Sequence, residues 1–285
     1  MSQYITGIDH ALILVRSLDA AKATMERLGF TVSPRGYHSP HMGTANHTIM
    51  LRDDYFELLG IAQPTEHNKH WRARLARREG LGAIALRTPD ARMAAGELRA
   101  AGIAAGEPID FSRPVELPGG THGEASFTTC ALPEDAMPGI PAFVCGHHTR
   151  ELVWLPTLQR HANTAVGLAS LTVLVADPAG IAASYRRMFG TKNVSGDDQE
   201  TAVQIGSTPV RFLTAARLAA RYPGLVPTAL APPAMIGLGI AVADPRAVEA
   251  RLKSNGVSTK IVSGGLCVIP DDASGVVFEF RSAAR

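Results

Sequence analysis

Residues 7–15 read Gly-Ile-Asp-His-Ala-Leu-Ile-Leu-Val, a strand-like apolar run broken by a histidine. Weaker copies follow: Gly-Leu-Gly-Ala-Ile-Ala-Leu-Arg at 80–87, Gly-Leu-Ala-Ser-Leu-Thr-Val-Leu-Val at 167–175 and Ile-Gly-Leu-Gly-Ile-Ala-Val at 236–242. Each leads through a turn into an Ala/Leu-rich amphipathic stretch that stops in or near a glycine. Repetition at this scale decides architecture before any single motif does. Only the first copy carries a complete polar pair, His10 with Glu57 on a later strand.

Outward from that first copy, the pattern predicts a strand over 5–15 and a helix over 18–28 with Leu18, Ala21, Met25 and Leu28 on one face. Gly29 is the stop signal. Strands are expected over 30–34, 45–51 and 55–61, with Asp53-Asp54 turning between the last two. The order is βαβββ. A basic helix over 66–78, read as a solvated face, leads to a second module with a strand at 83–87, a helix at 90–101 and strands at 125–131 and 141–145. Its stretch 107–123 holds Pro108, Pro114, Pro118, Gly119, Gly120 and Gly123 and is expected to be an irregular loop over a cavity mouth. Modules three and four repeat the pattern from 168 and 238, with a Pro-rich joint at 223–233 between them. The expected domains are 1–150 and 163–285, joined by a partly packed connection at 151–162.

Composition sets limits on function. The chain has 285 residues, 46% of them apolar, enough for two domains with packed cores. A net charge of +2 provides no field for nucleic acid. Cys130, Cys145 and Cys267 are far apart with no CxxC pair, which suits a reducing cytoplasm. No apolar run approaches the roughly 20 residues of a membrane span, and no signal peptide is read at the N-terminus. The expectation is a cytoplasmic protein acting on a small molecule, without nucleic acid or membrane partners; a homodimer is compatible with it. All ten histidines precede residue 162, so polar chemistry is expected in the N-terminal half.

Gly-Ile-Asp-His-Ala, Gly-Thr-Ala-Asn (43–46), Tyr-Phe-Glu-Leu-Leu (55–59), His-His-Thr-Arg-Glu-Leu-Val-Trp (147–154) and His-Ala-Asn (161–163), set in four βαβββ modules, resemble the vicinal oxygen chelate superfamily, and within it the bacterial glyoxalase-like family. The topology covers nearly the whole chain; the narrower strings cover 7 to about 165. The resemblance implies an α+β fold of four modules paired into two glyoxalase-like half-open barrels. It also implies that the first and fourth strands of each module supply inward side chains, which in metal-dependent relatives surround a divalent cation. One fold hosts many chemistries, so the reaction stays open at this level.

Strand alternation puts His10 on one face with Leu12 and Leu14, and Glu57 with Tyr55 and Leu59. A carboxylate among apolar neighbours needs a cation or a hydrogen-bond partner. Three readings stand: ligands of one divalent ion (Mn, Fe, Ni or Zn), a buried structural pair, or metal-free acid–base work. Module two places Ala83 and Phe143 at the matching positions, so a third metal ligand would come from His147, with His148 as the further catalytic candidate. Asn46, Tyr55, Phe143 and Trp154 are candidates for substrate contact. The C-terminal copies place Ser170, Gly239, Arg211 and Glu279 at the four positions, and Arg211 is expected to pair with Glu279, leaving that half structural. The leading reading is isomerase- or lyase-type chemistry through an enolate or oxyanion in the N-terminal cup. The competing one is a non-catalytic protein that binds or sequesters a small molecule.

Overall fold

The computed structural model describes residues 3–117, 120–226, 230–262 and 265–283. Module one contains β1 (Gly7–Leu14), α1 (Leu18–Arg27), β2 (Gly36–Tyr37), β3 (Thr44–Met50) and β4 (Tyr55–Ile61). After α2 (Lys69–Arg77), module two contains β5 (Gly80–Arg87), α3 (Ala91–Ala100), β6 (Ile109–Glu116), β7 (His122–Ala131) and β8 (Ala142–His147). Module three contains β9 (Ala165–Leu174), α4 (Pro178–Phe189), β10 (Val194–Gly196), β11 (Glu200–Ile205), β12 (Thr208–Leu213) and α5 (Ala215–Arg221). Module four contains β13 (Ala234–Val242), α6 (Pro245–Ser254), β14 (Thr259–Val262), β15 (Gly265–Val268) and β16 (Val277–Ser282). The helix after each first strand starts at a side-chain cap: Ser17, Asp90, Asp177 and Asp244 each accept a backbone N–H from the first turn. Gly29 takes the positive φ that ends α1.

Two eight-stranded mixed sheets result, ordered β2-β3-β4-β1-β5-β8-β7-β6 and β10-β11-β12-β9-β13-β16-β15-β14. This is the α+β glyoxalase-like architecture of paired modules. In the first sheet the two edge strands curl toward one another. A Cβ on Gly36 of β2 would stand 3.1 Å from the guanidinium of Arg113 on β6. The outer faces of the two sheets share one apolar core. Phe56 packs on Phe278 at 5.4 Å between ring centroids, and Phe30 on Phe278 and Phe280 at 5.8 and 6.0 Å. Asp54 Oδ1 accepts the Leu168 N–H at 2.9 Å across the same junction. The connection at 151–162 lies along the first sheet, where Gln159 donates to the Leu51 carbonyl at 2.7 Å. Among the described residues, no helix is long and apolar enough to cross a membrane.

Three expectations are corrected. Residues 30–34 do not form a strand; Thr31 N–H instead donates to His161 Nδ1 at 2.9 Å, and the outer strand is the short β2. The stretch 107–123 is not a loop: most of it is β6 and the start of β7, while Pro118 and Gly119 lie outside the described residues. Pro114 is tolerated because β6 is an edge strand. Phe111, Arg113 and Val115 alternate inward with Asp110, Ser112, Pro114 and Glu116 turned outward. The Pro-rich joint at 223–233 is described except for residues 227–229.

The third correction concerns the C-terminal cup. Arg211 pairs with Glu200 on the neighbouring strand, not with Glu279. Two strands, β9 and β13, separate β12 from β16, roughly 14 Å at about 4.8 Å per strand. Glu279 is fully buried and saturated: Oε2 accepts from Arg221 at 3.0 Å and from the Tyr222 hydroxyl at 2.9 Å, and Oε1 accepts from Arg281 Nε at 2.7 Å. Arg221 ends α5, which lays Leu218 and Tyr222 against Leu174, Leu213, Ile236 and Val277. The helix fills this cup from within.

A β-bulge interrupts β1 where it meets β5: Ile8 pairs with Leu86 and His10 with Ala85, so Asp9 is the extra residue. The same bulge recurs where β9 meets β13, with Ala169 as the extra residue between Leu168 and Ser170.

Candidate functional site

The N-terminal cup encloses a cavity of about 480 Å³, within the usual range for small-molecule sites. His10, Asn46, Tyr55, Glu57, Phe143 and Cys145 are part of its lining. His10 and Glu57 face inward as alternation requires, because β1 and β4 run parallel with Leu12 opposite Glu57. Tyr55 stacks on the His10 ring at 4.3 Å and 21°, and Phe143 meets it edge-on at 5.6 Å. His10 Nε2 lies 3.7 Å from Glu57 Oε2. Asn46 Nδ2 donates to Glu57 Oε1 at 2.8 Å, holding the carboxylate toward the imidazole.

Behind this pair stands Asp9. The bulge turns its side chain to the His10 side, and Oδ2 takes hydrogen bonds from His10 Nδ1 at 2.8 Å and His147 Nε2 at 3.0 Å. Burial alone would raise the Asp9 pKa; the two histidine hydrogen bonds outweigh it and hold the carboxyl well below the usual carboxylate range. Among the described residues Oδ1 has no hydrogen bond, and Arg87 Nε stands 3.9 Å from it. Burial pushes the Cys145 thiol well above its ordinary value, and burial also keeps His38 below its own, despite the pull of Glu57. His38 Nδ1 is tied to Thr44 Oγ1 at 2.7 Å.

His147 is the last residue of β8, inward with Phe143 and Cys145 at period two. It sits under the cavity floor between Phe127 and Trp154, with ring centroids at 4.9 and 5.0 Å. His148, one residue on, faces the other way. It is exposed and bound to Thr128 Oγ1 at 2.7 Å, so the structure does not bring this catalytic candidate to the cavity. Trp154 is likewise set back: it packs behind Tyr55 at 5.4 Å, under the Arg150 guanidinium, and does not line the cavity. Trp71, His38 and Arg113 line it instead.

The expected metal set, His10, Glu57 and His147, is divided. His147 joins Asp9 and Cys145 in a triad whose ligand atoms all lie within 4.8 Å of one another, as a metal centre requires. His10 and Glu57 form an adjoining pair on the cavity side of Asp9. A carboxylate, a thiol and an imidazole fit zinc better than manganese, because a thiolate selects softer ions. Asp9 is fully buried and only Cys145 of the three touches the cavity lining, so an ion held there would sit beneath the floor. Cobalt(II) titration of the wild type is expected to give a thiolate-to-cobalt charge-transfer absorption that Cys145→Ser removes. Cobalt uptake without that absorption would move the metal to His10 and Glu57.

Residues 8–189 match a family described as a glyoxalase-like domain. No curated protein matches the chain. Similar solved structures include a hypothetical protein from Staphylococcus aureus, with 14% identity, a TM-score of 0.70, and coverage of 97% of this chain and 99% of that one. A variant of 4-hydroxymandelate synthase from Streptomyces coelicolor has 14% identity and a TM-score of 0.59, with 99% and 94% covered. A fusion of a xylose isomerase-like TIM barrel and 4-hydroxyphenylpyruvate dioxygenase has 17% identity and a TM-score of 0.59, covering all of this chain and half of that one. At these identities the likeness is one of fold.

Proposed function

Since the chain belongs to the glyoxalase-like domain family, within the vicinal oxygen chelate superfamily, we propose that it is an enzyme in which His10 moves a proton on a small carbonyl compound bound in the N-terminal cup. The observation that carries this reading is the line Asp9–His10–Glu57 at the cavity floor, with 2.8 Å on one side of the imidazole and 3.7 Å on the other. An ionised Asp9 can only accept, so Nδ1 carries the proton and Nε2 presents its lone pair to the cavity. Nε2 takes a proton from a carbon next to the carbonyl and leaves an enolate. Returning that proton to a different carbon gives isomerisation; expelling a leaving group from the enolate gives a lyase outcome. Glu57 stabilises the imidazolium between the two steps, and Asn46 keeps Glu57 in place. A divalent ion held by Asp9, Cys145 and His147 would add positive charge beneath this line.

The aromatic lining supports a second reading, a protein that binds a small molecule without converting it. One assay separates the two. Carbonyl compounds are incubated with the protein in D₂O and their C–H signals followed by NMR. Catalysed exchange of an acidic C–H is expected, slowed by about 10²-fold in Glu57→Gln, the low end for a group assisting proton transfer. Tight binding with no exchange above the uncatalysed rate would leave only the second reading.

A further inference from the structure

Arg113 lines the cavity and among the described residues has no hydrogen bond and no ion pair. Every other charged side chain in the lining is committed: Glu57 to Asn46 and His10, Glu107 to Arg99 at 2.9 Å. Among the described residues, no other lysine or arginine lines this space. The guanidinium is brought here by the inward alternation of β6, at the seam where that edge strand meets β2. Gly36 leaves the room. A Cβ there would stand 2.5 Å from Asn46 Oδ1 and 3.1 Å from Arg113 Nη1, so any other residue would push both groups aside. The charge of Arg113 bears on His38 and on Tyr55, both cavity residues. Along the inner wall the order is therefore Arg113, Asn46, Glu57, His10.

We propose that Arg113 anchors the carboxylate of a ring-bearing organic acid, which makes such acids the ligand class of this cavity. This rests on the preceding assignment of the N-terminal cup as the working site and adds its specificity. One planar guanidinium matches a carboxylate through two parallel hydrogen bonds. A doubly charged phosphate would call for a second permanent cation, and among the described residues the lining has no second lysine or arginine. Tyr55, Trp71, Phe111, Phe127 and Phe143 wall the remainder of the space with aromatic faces and edges. An acid held at Arg113 extends its carbon chain past Asn46 toward His10.

The test compares 3-phenylpropionate with its neutral amide, 3-phenylpropanamide, by calorimetry on the full chain. The acid is expected to bind roughly tenfold or more tightly than the amide, as a charge-assisted pair requires. In Arg113→Gln the preference should vanish while amide affinity is unchanged, and Arg113→Lys should keep only part of it. Equal binding of acid and amide by the wild type, binding of neither, or a preference that survives Arg113→Gln overturns the proposal. His10→Gln keeps the two claims apart. Acid preference retained in His10→Gln together with wild-type proton exchange would strike the catalytic reading and leave the anchor standing. Exchange that depends on His10 with no acid preference would do the reverse.

Discussion

Asp9→Asn is expected to slow proton exchange by about 10³–10⁴-fold while ligand affinity changes little. That is the scale seen when the carboxylate behind a catalytic imidazole becomes an amide. Asp9 Oδ2 holds His10 Nδ1 at 2.8 Å and His147 Nε2 at 3.0 Å. An amide can turn its NH₂ toward His10, which moves the ring proton to Nε2 and leaves no base facing the cavity. The pH dependence is fixed in sign. The folded pKa of Asp9 is depressed, so its stabilising contribution is present above the unfolded carboxylate range, about pH 4, and is lost only as pH falls through the folded value. At neutral pH the carboxylate is therefore ionised in folded and unfolded chains alike, and the loss reports on tautomer and charge. Exchange rates in Asp9→Asn that match the wild type would show that His10 does not depend on Asp9.

Asp54→Asn is expected to stabilise the protein above pH 7 and to leave it nearly unchanged at pH 4. Burial at the junction between the sheets raises the Asp54 pKa from 3.8 to about 7, against the lowering effect of the hydrogen bond from Leu168. A raised carboxyl pKa means that the folded state binds the proton more tightly. The stability it confers is complete below pH 3.8 and is lost as pH rises through about 7. A proton affinity about a thousandfold higher in the folded state, at roughly 1.36 kcal/mol per tenfold, puts the loss on the order of 4 kcal/mol. The amide oxygen can still accept from Leu168, and no charge is left to desolvate. Urea midpoints of wild type and Asp54→Asn, measured from pH 4 to 9, should diverge across this window. Parallel curves would mean that Asp54 remains hydrated.

Periodicity made the modules legible, along with the inward pair His10–Glu57 and the emptiness of Ala83 and Phe143 as ligand positions. Each of these depends on regular alternation. What stayed hidden depends on departures from it or on pairing between distant elements. Asp9 reads as an outward residue until the bulge turns it, and nothing in Gly-Ile-Asp-His announces a bulge. Arg113 was concealed by prolines and glycines around it, although Phe111, Arg113 and Val115 do alternate; that short pattern was the available signal. Nearness in sequence to the end of β8 points to Trp154 and His148, whereas strand parity and packing behind Tyr55 decide where they lie. The amphipathic helix α5 was visible as a helix, but its seat inside the second cup follows from Arg221 meeting Glu279, 58 residues apart.

The bulge outlives its own side chain. In the second sheet the backbone still makes the extra-residue step, yet Ala169 stands where Asp9 does in the first, and Ser170 where His10 does. The curvature that turns Asp9 toward His10 thus belongs to the scaffold, handed down with each copy of the module. The chemistry is a separate layer that substitution can write or erase without redrawing the chain path. On this view a lineage of duplicated modules carries spare, pre-shaped sockets, and a new activity in the silent half would begin with side chains and the eviction of α5, with the fold already in place.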